Sequence, residues 1–146
     1  MNIDARGIIL IKSFEGLRLN AYPDPGTGGA PWTIGYGHTG PDVYPGLKIT
    51  EAEAEALLRK DLARFERGVD RLIEGAFTSQ VQFDAMVSLA YNIGLGGFQR
   101  SSVLRHHRAG NKLRAAASFL MWVKAAGRTL PGLVRRRNAE RKLYLS

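Results

Sequence analysis

The sequence predicts a mostly helical α+β fold with a small glycine-rich β lobe, a long connecting helix and a helical C-terminal lobe. Two capping boxes mark helix starts, one at Thr50 with Glu53 and one at Ser79 with Gln82. Residues 20–48 instead combine many glycines and prolines with alternating aromatic and aliphatic positions, a pattern typical of turns and short strands. The chain of 146 residues has the length of a single domain.

The first helix is predicted over residues 3–14, where apolar residues recur at helical spacing. Gly16 provides its stop, since glycine is common just beyond a helix C-terminus. In the glycine-rich stretch, the strongest strand signal lies at residues 33–36, which we expect to form part of a short hairpin or small sheet.

The longest helix begins at Thr50 and extends to about residue 74, because its apolar residues recur in steps of three and four. The next runs from Ser79 to about residue 93, and residues 94–97 break it. Further helices are predicted near 100–109, 112–125 and 132–144. The expected parts of the domain are an N-terminal α/β lobe at about 12–50, a connecting helix at about 51–74, and a C-terminal lobe at about 75–146 that includes helix 3–14.

Composition limits how the protein is made and stabilised. Cysteine is absent, so no disulfide holds the fold. The apolar run at residues 8–11 is too short for a signal sequence or a membrane span. We therefore expect the chain to be made and folded in the cytoplasm without a signal peptide or membrane anchor. If its substrate lies outside the membrane, a separate membrane-lesion protein must release it.

Positive charge is concentrated at the C-terminal end of the chain. Residues 100–146 hold 12 basic residues and one acid, a balance of +11, whereas residues 1–99 have a balance of −3. Such a segment favours anionic partners, and we expect it to contact outer-envelope lipids. The residues expected to do so lie in one basic amphipathic stretch: Arg135, Arg136, Arg137, Arg141 and Lys142. A solvated basic face without a specific partner is the alternative, and nucleic acid is not expected because no nucleic-acid-binding motif is present.

Two carboxylates nine positions apart, Glu15 and Asp24, occupy different local settings. Glu15 ends an apolar helical run, and the neighbouring Phe14 and Ile11 favour a protonated carboxyl. Asp24 lies in a turn between two prolines. Glycoside hydrolysis uses such an asymmetric pair, with one carboxyl as acid and the other as base. Taken singly, each residue also has an ordinary interpretation, as an exposed glutamate and a turn aspartate.

Three segments carry a family resemblance. The first is Glu15-Gly16-x-x-Leu19-x-Ala21-Tyr22-x-Asp24 followed by Thr33-Ile34-Gly35-Tyr36-Gly37-His38. The second is Gln82-Phe83-Asp84-Ala85 with Tyr91-Asn92-Ile93-Gly94, and the third is Gly132-Leu133-x-x-Arg136-Arg137-x-x-Glu140-x-x-Leu143-Tyr144. Together they resemble the phage lysozymes, or endolysins, of glycoside hydrolase family 24, over nearly the whole chain.

The resemblance implies a lysozyme-like two-lobed fold and muramidase activity. The bond hydrolysed would be the β-1,4 linkage between N-acetylmuramic acid and N-acetylglucosamine in bacterial peptidoglycan, for host lysis. In this family Glu15 would protonate the glycosidic oxygen, while Asp24 and Thr33 would position and activate water in an inverting reaction. No metal or nucleotide cofactor is implied, and we expect a monomer that reaches the periplasmic cell wall after release by a separate membrane-lesion protein.

The resemblance also extends to residues that would line a saccharide cleft: Thr39, Tyr91, Asn92 and Ser101. For Tyr91 the alternative is core packing, and for Asn92 and Ser101 it is helix capping. One departure from the T-even-type members is a longer stretch at residues 25–32, which should lengthen the hairpin tip after Asp24.

His38 is expected to be structural, bonded to a helix carboxylate. The chain has three histidines, no cysteine and no HExxH spacing, which argues against a zinc site. Trp122 and Phe119 are expected in the core of an apolar helix.

Two rival functions remain open at this point. A lytic transglycosylase needs only the glutamate and forms an anhydro sugar, so the presence of both Asp24 and Thr33 argues against it. A non-catalytic, membrane-active or anionic-surface-binding basic module would explain the charge but leave Glu15 without a purpose.

Overall fold

Helices dominate the computed structural model, which describes residues 1–146. The seven α-helices are α1 (Ala5–Glu15), α2 (Glu51–Leu72), α3 (Gln80–Ile93), α4 (Leu95–Gln99), α5 (Ser102–Arg108), α6 (Lys112–Ser118) and α7 (Pro131–Tyr144). The five strands are β1 (Arg18–Tyr22), β2 (Thr33–Gly35), β3 (His38–Thr39), β4 (Lys124–Ala125) and β5 (Arg128–Thr129). The mostly helical α+β class predicted from the sequence is confirmed.

The chain forms two compact units, the sheet unit and the helical unit. The sheet unit is Lys12–Ala63, and the helical unit is Met1–Ile11 together with Arg64–Ser146. Both boundaries fall inside helices, since α1 and α2 each contribute residues to both units. No helix of the protein is both long enough and apolar enough to cross a membrane.

The sheet unit contains the antiparallel sheet β1-β2-β3. Arg18 lies opposite Gly35 and Tyr22 opposite Thr33, so β1 uses more residues than β2 over the same length and is bulged. The bulged part of β1 instead hydrogen-bonds to the backbone of residues 47–49.

The sheet lies against the N-terminal half of α2. Ile34 is fully buried, as are Ala54 and Leu58 on α2. Gly35 has a φ of +66°, and a Cβ there would lie 3.5 Å from the Cβ of Ala54. Glycine at this position therefore serves both a left-handed backbone conformation and close strand–helix packing.

Both predicted capping boxes are present. The Thr50 hydroxyl accepts the N–H of Glu53 at 3.1 Å, and the Glu53 carboxylate accepts the N–H of Thr50 at 3.0 Å. Ser79 and Gln82 make the same reciprocal pair at the start of α3. The helix starts were thus predictable because a local side-chain bond determines each of them.

The helical unit is built around α3, in which every residue from Val81 to Ala90 is buried. Helix α7 packs against it and contributes Tyr144, which is 1% exposed. The Tyr144 hydroxyl lies 2.6 Å from Nδ1 of His107, while Nε2 of that ring lies 2.8 Å from the Thr78 hydroxyl. Burial, with Lys112 nearby, lowers the pKa of His107 to about 4, so this histidine is a neutral part of the core.

Between residues 94 and 129, the predicted break after residue 93 is confirmed but short helix α4 was not predicted, and the helix predicted over 112–125 is wrong. The glycine-rich break after α3 is a corner at Gly94, with φ of +89°, followed at once by the short helix α4. The helix predicted over 112–125 ends at Ser118 and continues as a 3₁₀ turn, Phe119–Met121, and the hairpin β4–β5. The hairpin turn holds Ala126 and Gly127 at positive φ, and alanine is a weak signal for that conformation.

The buried carboxyl of Asp84 on α3 faces the start of the chain. Its Oδ1 accepts the N–H of Asp4 at 3.1 Å and a side-chain N–H of Gln80 at 2.8 Å. Burial, reinforced by the Asp4 side chain, raises the pKa of Asp84 from 3.8 to about 6, whereas hydrogen bonding to Asp84 and Arg6 holds the pKa of Asp4 well below its ordinary value. In mildly acidic solution Asp84 is therefore the carboxyl that holds a proton, while Asp4 stays ionised.

The variant Asp84→Asn should remove a pH dependence of stability. In the wild type the folded chain holds this proton more tightly than the unfolded chain, so the Asp84 contribution to stability is lost as the pH rises from about 4 to about 7. Urea unfolding across this range should show the free energy of unfolding of the variant rising relative to wild type by about 2 kcal/mol. A difference that stays constant with pH would contradict the raised pKa of Asp84.

Candidate active site

Glu15 is the last residue of α1 and is half-buried. The helix ends there because Gly16 adopts a φ of +72° and returns its N–H to the carbonyl of Lys12 at 3.1 Å. Lys12, one turn earlier, bonds Glu55 of α2 at 2.9 Å and lies over the Tyr36 ring at 5.4 Å. These contacts hold the last turn of α1 against the rest of the sheet unit.

Asp24 lies two residues beyond β1, in a loop that is organised by its carboxylate. Its Oδ2 accepts the N–H groups of Gly26 at 3.0 Å and Thr27 at 3.1 Å. Its backbone is bonded across the loop to Gly29 and Gly28, at 2.9 and 2.8 Å. The half-buried side chain is therefore fixed through one oxygen, and Oδ1 accepts no hydrogen bond from the protein.

Thr33 is the first residue of β2 and lies at the end of the sheet that leads to Asp24. It is opposite Tyr22 in β1 and opposite Thr39 in β3. Residues directly opposite in antiparallel strands project to the same face, and the buried Ile34 projects to the other. Thr33 and Thr39 therefore lie side by side on one face, and no hydrogen bond of the protein engages the Thr33 hydroxyl.

The sheet unit thus gathers four of the predicted site residues: Glu15, Asp24, Thr33 and Thr39. Asp24, Thr33 and Thr39 occur together at one end of the sheet. Glu15 precedes the other end of β1, from which it is separated by Gly16 and Leu17.

His38 fixes β3 to α2, as expected for a structural histidine. Its Nδ1 lies 2.7 Å from Asp61 on α2, and its Nε2 lies 3.0 Å from Asp42. Burial alone would lower the pKa of His38, but the hydrogen bonds to Asp61 and Asp42 outweigh it, and the pKa lies above its ordinary value. A protonated ring donates to both carboxylates and so holds the strand that carries Thr39.

The remaining predicted site residues belong to the helical unit. Tyr91 is half-buried with its ring edge-to-face against Phe65, 5.2 Å between centroids. Asn92 is exposed and accepts a hydrogen bond from Arg137 at 2.5 Å. Ser101 is 4% exposed, accepts the N–H of Leu104 and donates to a backbone carbonyl. The helix-capping interpretation therefore describes Ser101, and its contact with a saccharide stays a prediction.

The predicted envelope-binding role is wrong for Arg136 and Arg137, because both are buried, 4% and 0% exposed. Both guanidinium groups pair with the fully buried carboxylate of Glu140, at 3.2 and 2.9 Å. Ser88 on α3 donates its hydroxyl to the same carboxylate at 2.5 Å. The other three members of the predicted set remain exposed candidates for an anionic surface: Arg135, Arg141 and Lys142.

A pocket beside Asn92 was not predicted from the sequence. It has a volume of about 340 Å³ and is lined by Asn92, Ile93, Trp122, Lys124, Ala125 and Leu133. Trp122, which was expected in the core, is only half-buried and forms part of this wall, whereas Phe119 is fully buried as expected. The pocket forms because α6 ends and the chain continues to the β4–β5 hairpin. A prediction of one helix over residues 112–125 lacks this hairpin and therefore does not predict the pocket.

Replacing His38 should destabilise the protein most in mild acid. Because the pKa of His38 is raised on folding, its contribution is fully present below the unfolded pKa of about 6.5 and is lost as the pH rises through the folded value. We expect His38→Asn to lower the free energy of unfolding by about 1–3 kcal/mol at pH 5.5, and by less at pH 8.5. Urea unfolding at the two pH values measures this, with His106→Asn as a control that has no carboxylate partner. Equal losses at both pH values would contradict the charged pair.

Replacing Glu140 should be far more costly than replacing an exposed acid. Glu140→Gln leaves two buried guanidinium groups without their anion and should lower the free energy of unfolding by about 3–5 kcal/mol. The control is Glu74→Gln, since the exposed Glu74–Arg108 pair contributes about 0–1 kcal/mol. Thermal or urea unfolding measures the free energy of unfolding of both variants. A loss for Glu140→Gln as small as the one expected for Glu74→Gln would show that the buried cluster is not a stabilising element.

Comparisons with known proteins agree with this architecture. The endolysin of Bacillus phage B103 is 51% identical over the whole chain, which spans only 55% of the length of that relative. The endolysin of Salmonella phage P22 is 41% identical over 100% of this chain and 99% of its own. The solved muramidase domain of SpmX from Asticaccaulis excentricus has a TM-score of 0.90 at 40% identity, covering 99% of this chain and 98% of that one. The family model for phage lysozyme matches residues 12–140, and the chain therefore belongs to the phage lysozyme family.

Proposed function

We propose that the protein is an endolysin-type muramidase. Its substrate would be bacterial peptidoglycan, and the bond hydrolysed would be the β-1,4 linkage between N-acetylmuramic acid and N-acetylglucosamine. Membership of the phage lysozyme family supports this proposal, as do the endolysin and muramidase names of the relatives. In the lysis role the enzyme acts on the cell wall as a monomer, after release by a separate membrane-lesion protein.

One observation carries the assignment of residues. A helix-terminal glutamate and a loop aspartate next to a strand-edge threonine occur in one compact unit, Lys12–Ala63. The two carboxyls are supported differently, Glu15 by the end of α1 and Asp24 by backbone N–H groups of its own loop. Glycoside hydrolysis requires two carboxyls with different roles, and the two different settings support the assignment of separate roles to them.

In the proposed reaction Glu15 is the general acid. It gives its proton to the glycosidic oxygen as the bond to the anomeric carbon breaks, and positive charge develops on the sugar ring. A water molecule held by the Thr33 hydroxyl attacks the anomeric carbon from the opposite face, while Oδ1 of Asp24 accepts its proton. The product has an inverted configuration, and solvent returns the proton to Glu15 and removes the one gained by Asp24.

The variant Glu15→Gln should lose hydrolysis of purified peptidoglycan, because glutamine keeps the shape of the side chain but cannot supply the proton. We expect a rate loss of about 10²–10⁴-fold, the usual contribution of a general acid. The released fragments are read by mass spectrometry, and Glu51→Gln is the matched control because this exposed glutamate of α2 lies outside the proposed site.

The products distinguish the proposal from its rivals. Muropeptides with reducing ends from wild type and Glu51→Gln, and none from Glu15→Gln, would support a hydrolase that depends on Glu15. Anhydro-muropeptides would instead indicate a lytic transglycosylase. Absence of fragments from all three proteins would leave a non-catalytic basic module as the better account.

A further inference from the structure

The helical unit contains an arginine-lined pocket at the junction of α4 and α5. Its volume is about 310 Å³. The lining residues are Gln99, Arg100, Ser101, Leu104, Arg105 and Arg108. None of them belongs to the proposed catalytic set, and the pocket is separate from the one beside Asn92.

The pocket follows one face of α5. Ser101, Leu104, Arg105 and Arg108 recur at the spacing i, i+3, i+4 and i+7, which places them in a row along the helix. Ser101 and Leu104 are 4% and 1% exposed and form a closed, uncharged floor. The arginines are exposed, so their guanidinium groups form the rim.

Two of the three rim arginines have no carboxylate partner. Arg108 pairs with the exposed Glu74, whereas no carboxylate contacts Arg100 or Arg105. The one side-chain contact of Arg105 is to the ring of His106, at 3.5 Å. Few carboxylates lie nearby in the sequence to neutralise these arginines, because no acidic residue occurs between Asp84 and Glu140. Like charges are thus held close together, and an anion bound among them would be stabilised.

The lining also indicates which anion fits. Guanidinium groups bind phosphate oxygens with paired hydrogen bonds, and Gln99 adds a neutral donor beside them. No aromatic side chain lines the pocket, so it provides no stacking platform for a base or a sugar ring. Its volume is at the lower end of the range for small-molecule sites, which favours a small phosphorylated group.

We propose that this pocket binds a phosphate group carried on a small alcohol, such as glycerol phosphate. This chemistry occurs in the headgroup of anionic lipids and also in free or polymeric glycerol phosphate. The site would give the basic half of the chain a specific anionic ligand, at α4–α5 rather than through the buried arginines of α7. It is independent of peptidoglycan hydrolysis.

The test is a titration of the folded protein with glycerol 3-phosphate, followed by NMR. We expect the amide resonances of α4 and α5 to shift and to reach saturation. Arg105→Gln should raise the dissociation constant at least tenfold, and glycerol should cause no shifts. Arg114→Gln is the matched control, since this exposed arginine of the same unit lies on α6 outside the pocket. Undiminished binding by Arg105→Gln, equal weakening by both variants, or shifts that never saturate would each overturn the proposal.

Vesicle sedimentation distinguishes the two sources of the phosphate. Recruitment of wild type, but not of Arg105→Gln, to phosphatidylglycerol vesicles, with none to phosphatidylcholine vesicles, would support the site with a lipid headgroup as its ligand. Saturable binding of glycerol 3-phosphate without recruitment to either vesicle would support the site with a free or polymeric glycerol phosphate as its ligand.

Discussion

The burial of residues 81–90 of α3 is the constraint on which most of the helical unit depends. Ten consecutive residues of this helix, 81–90, are buried, so each polar side chain among them needs a protein partner. Ser88 meets this need by donating to Glu140, and the buried charge on Glu140 in turn requires the guanidinium groups of Arg136 and Arg137. A basic stretch that looks like a surface feature in the sequence is therefore drawn into the interior.

The sheet unit is organised around a different requirement, the placement of small polar side chains at the end of a short sheet. Three short strands bury little apolar surface, and polar contacts to α2 hold them in place. Lys12–Glu55 fixes the end of α1, His38–Asp61 fixes β3, and the close approach at Gly35 allows β2 to lie against Ala54. The proposed catalytic residues thus lie on turns and strand ends, and contacts to other parts of the sheet unit make these segments rigid.

Burial, as well as sequence, determines which charged residues remain on the surface of this protein. Of the twelve basic residues beyond position 99, two neutralise an interior carboxylate, and Arg108 pairs with Glu74. What remains on the surface is less than the sequence suggests, and it includes the arginines around the α4–α5 pocket. The net charge of +8 therefore gives the protein a general attraction to anions, whereas the pocket is a place where one specific anion could bind.

Local chemistry allowed the sequence to determine the helix starts at Thr50 and Ser79 and the stop at Gly16. Three kinds of signal act within a few residues and can be recognised from the sequence alone: capping boxes, a glycine at a helix C-terminus and a loop aspartate. The tertiary structure decided the rest. It buried Arg136 and Arg137, assigned Ser101 to a helix cap, and replaced the end of a predicted helix with a hairpin that leaves Trp122 half-buried in a pocket wall. The burial of the two arginines depends on contacts between residues 45 or more positions apart, such as Arg137 with Asn92 and Glu140 with Ser88, which no local pattern encodes.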